Sequence, residues 1–212
     1  KTFSALQCYG TSILTALTIQ NTKGVSGIYL LPIKIVEDQF YSIFSDININ
    51  AVKTGMLYNK DIVMLTANML KKYQPKHIVI DPVIYPTNGK KLQDGDAAEA
   101  IKNYLLPIAT IVTPNIEEAK SLTGISIHNK GDMIEAARRL AAYGPRAILI
   151  KGGHFKGENS NDLLYIKDKK IEQWLSTKRI KTKNNHGTGC SLASAIAAYL
   201  GKGHNIEEAV TQ

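Results

Sequence analysis

Residues 184–200, NNHGTGCSLASAIAAYL, hold the side chains with the clearest chemical use in this chain. Gly187 and Gly189 flank Thr188 and lead into Cys190 and a run of small residues that includes Ser191, Ala193, Ser194, Ala195, Ala197 and Ala198. A glycine turn at a helix start leaves backbone N–H groups without partners inside the helix. Those donors and the positive end of the helix dipole favour an anion. Glycine lets the backbone take left-handed angles and approach a ligand closely. Cys190 falls in the first turn, where the same field favours thiolate over thiol. The stretch therefore offers an anion cradle beside a group able to take a proton. In a purely structural role it would be a loop capping a core helix, with Cys190 as a small apolar residue.

Such groups need elements to position them. Residues 1–9 read as the tail of a helix broken at Gly10. Strands are predicted over 12–20, 27–31, 51–57, 77–83, 109–113 and 147–151. Helices are predicted over 36–47, 61–73, 95–105, 117–122 and 132–143, from the glycine turn onward, and from Ile206. Residues 162–174 read as a hairpin around Lys167-Asp168-Lys169. The segment HIVIDPV at 77–83 shows almost no alternation, as expected of a strand covered on both faces. Strands and helices alternate through most of the chain, which predicts an α/β fold with a largely parallel sheet covered by helices. No repeat, low-complexity tract or linker divides it, so 212 residues read as a single domain.

In open α/β sheets, ligands bind beyond the carboxyl ends of the strands. The polar and flanking residues at those ends belong together: Gln20, Met56, Asp81, Asn115 with Glu118, and Lys151-Gly152-Gly153, joined by the loop 187–189. The types suit phosphoryl transfer, which needs cations and N–H donors around the moving group, a divalent cation and a positioned acceptor hydroxyl. Asp81 and Glu118 are oxygen ligands suited to Mg²⁺. Lys151 is a cation beside two glycines, suited to a phosphate. The glycine loop would stabilise charge on the γ-phosphoryl oxygens, and Cys190 would take the acceptor's proton. Each residue also has a structural role open to it. Asp81 before Pro82 could end a strand, Asn115 could be an N-cap with Glu118 as its capping-box partner, and Lys151 could be an ordinary strand-end lysine. Gln20 could satisfy a loop backbone, Met56 could fill the core, and His154 and His186 read as loop polar groups. No GxxxxGK[ST] motif occurs, which excludes a P-loop kinase.

Composition narrows the setting. The apolar fraction of 44% supports a packed core rather than disorder. The two cysteines, Cys8 and Cys190, stand in no metal-ligand spacing, and a reducing cytoplasm is the simpler context. No apolar run reaches the roughly 18 residues that a membrane span needs. The net charge of +8 is concentrated at 167–183, where Trp174 is the lone aromatic of the stacking kind and no nucleic-acid reader motif occurs. That segment reads as a solvated basic edge that attracts an anionic substrate.

Beyond these local readings, the chain resembles the hydroxymethylpyrimidine/phosphomethylpyrimidine kinases of thiamine biosynthesis, in the ribokinase-like superfamily. The matching stretches are KTFSAL at 1–6, TALTIQNT at 15–22, AVKTGML at 51–57, VIDPV at 79–83, LLPIATIVTPNIEEA at 105–119, ILIKGGH at 148–154 and NHGTGCSLASAIAAYL at 185–200. The resemblance implies a three-layer α/β/α sandwich with a mostly parallel central sheet, and an ATP- and Mg²⁺-dependent kinase. Its substrates would be 4-amino-5-hydroxymethyl-2-methylpyrimidine and then its monophosphate. By that pattern Gly187, Thr188, Gly189 and Cys190 form the catalytic anion hole, with Cys190 as base. Asn115 and Glu118 match the metal-organising motif, and Asp81 and Lys151 match positions near the metal and the ATP phosphates. Gln20, Met56 and Val83 match the pyrimidine pocket. The resemblance also implies a homodimer.

Departures from the pattern set two further expectations. A glycine-rich segment resembling GSDxSGGAGIQAD precedes KTFSAL in the family and does not occur in these residues, and a helix is cut at Gln212, so the chain reads as part of a longer native protein. After VIDPV, the residues Ile84, Tyr85, Pro86, Thr87, Asn88 and Gly89 replace the family's flap sequence, and Asn185 replaces a more usual Thr. The alternatives are a pyridoxal kinase of the same fold, which shares the GTGC loop, and a non-catalytic pyrimidine-binding sensor or fusion domain.

Overall fold

A computed structural model of the chain describes residues 1–21, 24–84, 96–153, 159–180 and 187–212. A short helix α1 (Thr2–Ala5) precedes an antiparallel pair, β1 (Ala16–Asn21) and β2 (Gly24–Leu30), that forms a sheet of its own. Helix α2 (Ile33–Asp46) leads to β3 (Ala51–Thr54), α3 (Lys60–Tyr73) and β4 (His77–Ile80). Then come α4 (Ala97–Ala100), β5 (Ile111–Val112), α5 (Ile116–Thr123), α6 (Lys130–Ala142) and β6 (Ala147–Ile150). The hairpin β7 (Asn159–Ile166) and β8 (Ile171–Lys178) precedes α7 (Thr188–Gly201) and α8 (Ile206–Thr211).

The central sheet has the order β3-β4-β5-β6-β7-β8. Strands β3 to β6 are parallel, and β7 and β8 add on antiparallel. The expected mostly parallel α/β sandwich is therefore present. Its three layers follow from side-chain parity, because successive residues of a strand point to opposite faces. On one face Ile78, Ile80, Val112, Ile148 and Ile150 pack with apolar residues of α2, α3, α5 and α6. On the other Val79, Ile111, Ala147 and Leu149 pack with Ala193, Ile196, Ala197 and Leu200 of α7 and Ala209 of α8. The small residues of α7 let it lie close over β3 and β4.

Four differences from the sequence reading have physical causes. Residues 12–20 do not form one strand of the central sheet, because Ala16–Asn21 pairs antiparallel with Gly24–Leu30 instead, with a register shift between Ile19 and Gln20. The helix expected over 95–105 is four α-helical residues followed by a π turn, Ile101–Leu105, and a 3-10 turn, Leu106–Ile108, as Pro107 closes the segment. Gly95 lies outside the described residues. The strands at 51–57, 77–83 and 109–113 pair over only Ala51–Thr54, His77–Ile80 and Ile111–Val112, and their polar ends open into the rim. The hairpin at 162–174 is longer, because β7 pairs with β8 over its whole length.

Candidate active site

The carboxyl ends of β3 to β6 open into a cleft of about 1570 Å³ that is lined by Gln20, Met56, Asp81, Val83, Asn115, Glu118, Lys151, Gly187, Thr188, Gly189 and Cys190. All eleven residues singled out in the sequence thus face one space. Gln20 reaches it by a different route from the one expected. It lies within β1, opposite Val25, and is exposed, so the ribbon rather than the central sheet presents it.

Asp81 is the hub. It follows β4, is 2% exposed, and takes its backbone hydrogen bond from its N–H to the Thr54 carbonyl at 3.2 Å. Lys151 Nζ donates to Asp81 Oδ1 at 3.1 Å, and Thr113 Oγ1 donates to the same oxygen at 3.3 Å. Lys53 Nζ stands 3.5 Å from Oδ2. A buried carboxylate needs such partners, since burying an unpaired charge is costly. Lys53, Thr113 and Asp162 are cleft or near-cleft groups that the sequence reading missed. Lys53 carried a signal, because a lysine inside a strand covered on both faces needs a partner.

Lys151 is placed by pairing beyond the strand ends. A parallel bridge joins Asn115 to Lys151, and the Lys151 N–H donates to the Pro114 carbonyl at 2.9 Å. Gly152 then passes so close to β7 that an added Cβ would lie 1.9 Å from the Asn161 carbonyl oxygen. Its N–H donates to Asp162 Oδ1 at 2.8 Å. Burial raises the Asp162 carboxyl, against the pull of that N–H and of Lys151.

Asn115 and Glu118 form a complete capping box. The Glu118 N–H donates to Asn115 Oδ1 at 2.9 Å, and the Asn115 N–H donates to Glu118 Oε2 at 2.8 Å. Their structural role is therefore real, and both still line the cleft. Glu118 is 2% exposed, and burial pushes its carboxyl up to about 7, with Lys151 pulling it down and Asp81 adding to the rise.

Helix α7 starts at Gly187, whose φ of 80° is in the left-handed region, and carries no side-chain cap. Gly189 leaves room for Lys151, whose Nζ would lie 3.2 Å from a Cβ there. Cys190 is open to the mouth of the cleft, but the protein around its thiol takes water away. The thiol is shifted away from the thiolate that a helix start favours. Burial pushes the thiol up, Lys53 and Lys151 pull it down, and Asp81 raises it by charge and by accepting a hydrogen bond. Desolvation is the largest influence on this thiol.

Asp81 and Glu118 are the buried carboxylates of this cleft, which Glu117 and Asp162 also line, and no group of three or more His, Cys, Asp or Glu side chains suited to a metal occurs among the described residues. This donor set fits a Mg²⁺ ion, which takes one or two carboxylates and fills its other positions with water and phosphate oxygens. Glu118 is the better donor, because a cation would offset the cost of its buried charge, whereas Asp81 is already held by two lysines. His154, His186, Asn185 and the segment 85–89 lie outside the described residues.

The phosphomethylpyrimidine kinase model matches residues 1–212, the whole chain. The chain belongs to the phosphomethylpyrimidine kinase family. It is 45% identical over 212 residues to the thiamine biosynthesis bifunctional protein ThiED of Geobacter sulfurreducens, covering 100% of this chain and 43% of that protein. The chain thus spans less than half of that relative. A crystal structure of phosphomethylpyrimidine kinase from Clostridium difficile superposes with a TM-score of 0.86 at 42% identity, covering 99% of this chain and 85% of that one. A structure of the pyridoxal kinase from Staphylococcus aureus in complex with AMP-PCP and pyridoxal matches with a TM-score of 0.88 at 33% identity, covering 99% and 75%. The chain shares the ribokinase-like fold of these neighbours, of which the Staphylococcus aureus one is a complex with an ATP analogue. No helix among the described residues is long and apolar enough to cross a membrane.

Proposed function

We propose that this chain transfers the γ-phosphoryl group of Mg·ATP to the hydroxyl of 4-amino-5-hydroxymethyl-2-methylpyrimidine, and then to the monophosphate so formed. The observation that carries this reading is the charge cluster of Asp81, Lys53 and Lys151 set under the glycine-led start of α7, where Cys190 stands. In the first transfer a bond forms between the acceptor oxygen and the γ-phosphorus, the bond from that phosphorus to the bridging oxygen breaks, and ADP leaves. The hydroxyl proton passes to Sγ of Cys190 in its thiolate form. Lys151 and the backbone N–H groups at the start of α7 offset the charge on the moving phosphoryl oxygens. Glu118, with Asp81 and Asn115 beside it, would hold Mg²⁺, which when bound would offset negative phosphate charge. Gln20, Met56 and Val83 would orient the pyrimidine. The Thr15 Oγ1 that donates to the Met56 carbonyl at 3.0 Å ties the segment before β1 to the end of β3.

The β1–β2 ribbon leaves Leu17, Ile19, Tyr29 and Leu30 exposed, which supports a second copy of this chain as its cover. The test of the function is ADP release by the full-length native protein with the hydroxymethylpyrimidine, its monophosphate and pyridoxal. Turnover of the pyrimidines should rise with pH above neutral, since the raised thiol yields more thiolate there, and Cys190→Ala should lower turnover of the hydroxymethylpyrimidine by about 100-fold or more. Turnover of pyridoxal alone would move the reading to a pyridoxal kinase. Binding of the pyrimidine with no ADP formed would leave a sensor.

A further inference from the structure

Two largely buried lysines meet Asp81 in the cleft, where the sequence reading used one. Asp81 separates them, with Oδ1 taking Lys151 and Oδ2 facing Lys53. The rim is ordered as the strands are. Lys53 belongs to β3, with Gly55 and Met56 just beyond it, whereas Lys151 follows β6 beside Asn115 and the start of α7. Each ammonium lies against a glycine, since an added Cβ at Gly55 would stand 3.1 Å from Lys53 Nζ and one at Gly189 would stand 3.2 Å from Lys151 Nζ. Lys53 shares its sheet face with Ala51, the α7 side, so its chain runs beneath the helix that carries Cys190.

The charges at the two ends are unequal. Lys151 has Glu118 as well as Asp81 within electrostatic reach. Among the described residues, the ion pair of Lys53 is with Asp81 alone, and its side chain is 12% exposed. Lys53 is therefore the less neutralised of the two ammonium groups, since Lys151 also has Glu118 and Asp162 near it, and Lys53 stands at the acceptor end in a place with little water. That is an unfavourable arrangement unless an anion arrives there.

We infer that Lys53 is the cation that receives the phosphate of a monophosphorylated acceptor, so that it serves the second phosphoryl transfer more than the first. This rests on the proposed pyrimidine kinase reading. The two transfers make different demands. A hydroxyl must lose a proton, which goes to Cys190. A phosphate oxygen with a second pKa of about 6 is already ionised near neutral pH and needs no base, but it must be brought beside another polyanion. In that second step the acceptor's phosphate oxygen bonds to the γ-phosphorus, the bond to the bridging oxygen breaks, and ADP leaves with the electron pair. A cation on the acceptor side lowers the repulsion between the two phosphates.

The test replaces Lys53 by Gln, whose amide still donates to Asp81, and by Arg, which keeps the charge. For Lys53→Gln in the full-length protein, kcat/KM for the monophosphate should fall roughly 10- to 100-fold, mostly through KM, and that for the unphosphorylated pyrimidine only about threefold. Calorimetric binding without ATP should show the same split, and Lys53→Arg should recover most of the monophosphate binding. Cys190→Ala should show the reverse split. Equal losses on both acceptors, or unchanged monophosphate binding in Lys53→Gln, would overturn the inference. If Lys53→Gln does not fold, Lys53→Arg decides, because loss of monophosphate binding in a folded Arg variant also overturns it. A wild-type protein that phosphorylates neither pyrimidine would instead overturn the function on which the inference rests.

Discussion

Two of the three capping boxes among the described residues pair Asn with Glu, are built alike and are placed differently. At α5 the pair is Asn115 and Glu118, and at α8 it is Asn205 and Glu208, each with both reciprocal hydrogen bonds at 2.8–3.0 Å. Glu208 is exposed, and its side chain reaches His204 at 3.6 Å on the surface. Glu118 is buried at the end of β5, inside the cleft with Asp81 and Lys151. The local motif is therefore a helix start in both cases. What makes one of them a candidate for metal chemistry is its position at the carboxyl end of a parallel strand, with other charges beside it.

The comparison can be broken most sharply by activity. Glu118→Gln should lower Mg²⁺-dependent turnover on the order of 100-fold, whereas Glu208→Gln should leave it within about twofold. Steady-state assays over a Mg²⁺ titration would measure both. Equal effects would mean that burial adds nothing to the motif.

Stability should move the other way. The Glu118 carboxyl titrates at about 7 instead of the ordinary 4.5, so the fold favours its protonated form. That contribution is fully present below about pH 4.5 and is lost as pH rises through 7. At about 1.4 kcal/mol per pH unit, ionised Glu118 costs on the order of 3 kcal/mol in metal-free protein above pH 7. Glu118→Gln should then be more stable than wild type at pH 8 by up to that amount, with the gain gone near pH 4.5. Denaturation with a chelator present would show it. Glu208→Gln should shift stability by no more than about 0.5 kcal/mol at either pH.

The smallest effect concerns the caps themselves. Asn115→Ala and Asn205→Ala should each cost about 1 kcal/mol of stability. Only the former should also raise the Mg²⁺ concentration needed for half-maximal turnover, by about tenfold. Thermal melts and the same titration would separate the shared role from the added one.

These contrasts mark what could be read from the sequence. The buried strand HIVI at 77–80 was legible because unbroken apolar residues fit a strand covered on both faces. The rim residues were legible because strand ends in an open α/β sheet converge. Lys53 was not read as a site residue because it lies inside AVKT, where the apolar pattern dominates, and its partner Asp81 is 28 positions away on β4's exit. Asp162 was invisible because it meets Gly152 only through the pairing of β6 with β7. Cys190 shows the opposite error. The local field of a helix start was visible, but the desolvation that acts most strongly on the thiol depends on how other segments close around it.

The most direct test of the central claim, that one cleft carries out both phosphoryl transfers, is a ³¹P NMR time course of the full-length protein with the hydroxymethylpyrimidine and Mg·ATP. The account predicts that a pyrimidine monophosphate signal appears first and gives way to a diphosphate, with ADP formed in step, and that Cys190→Ala delays the first signal. Consumption of ATP with no phosphorylated pyrimidine, or a bound pyrimidine that stays unmodified, would contradict it.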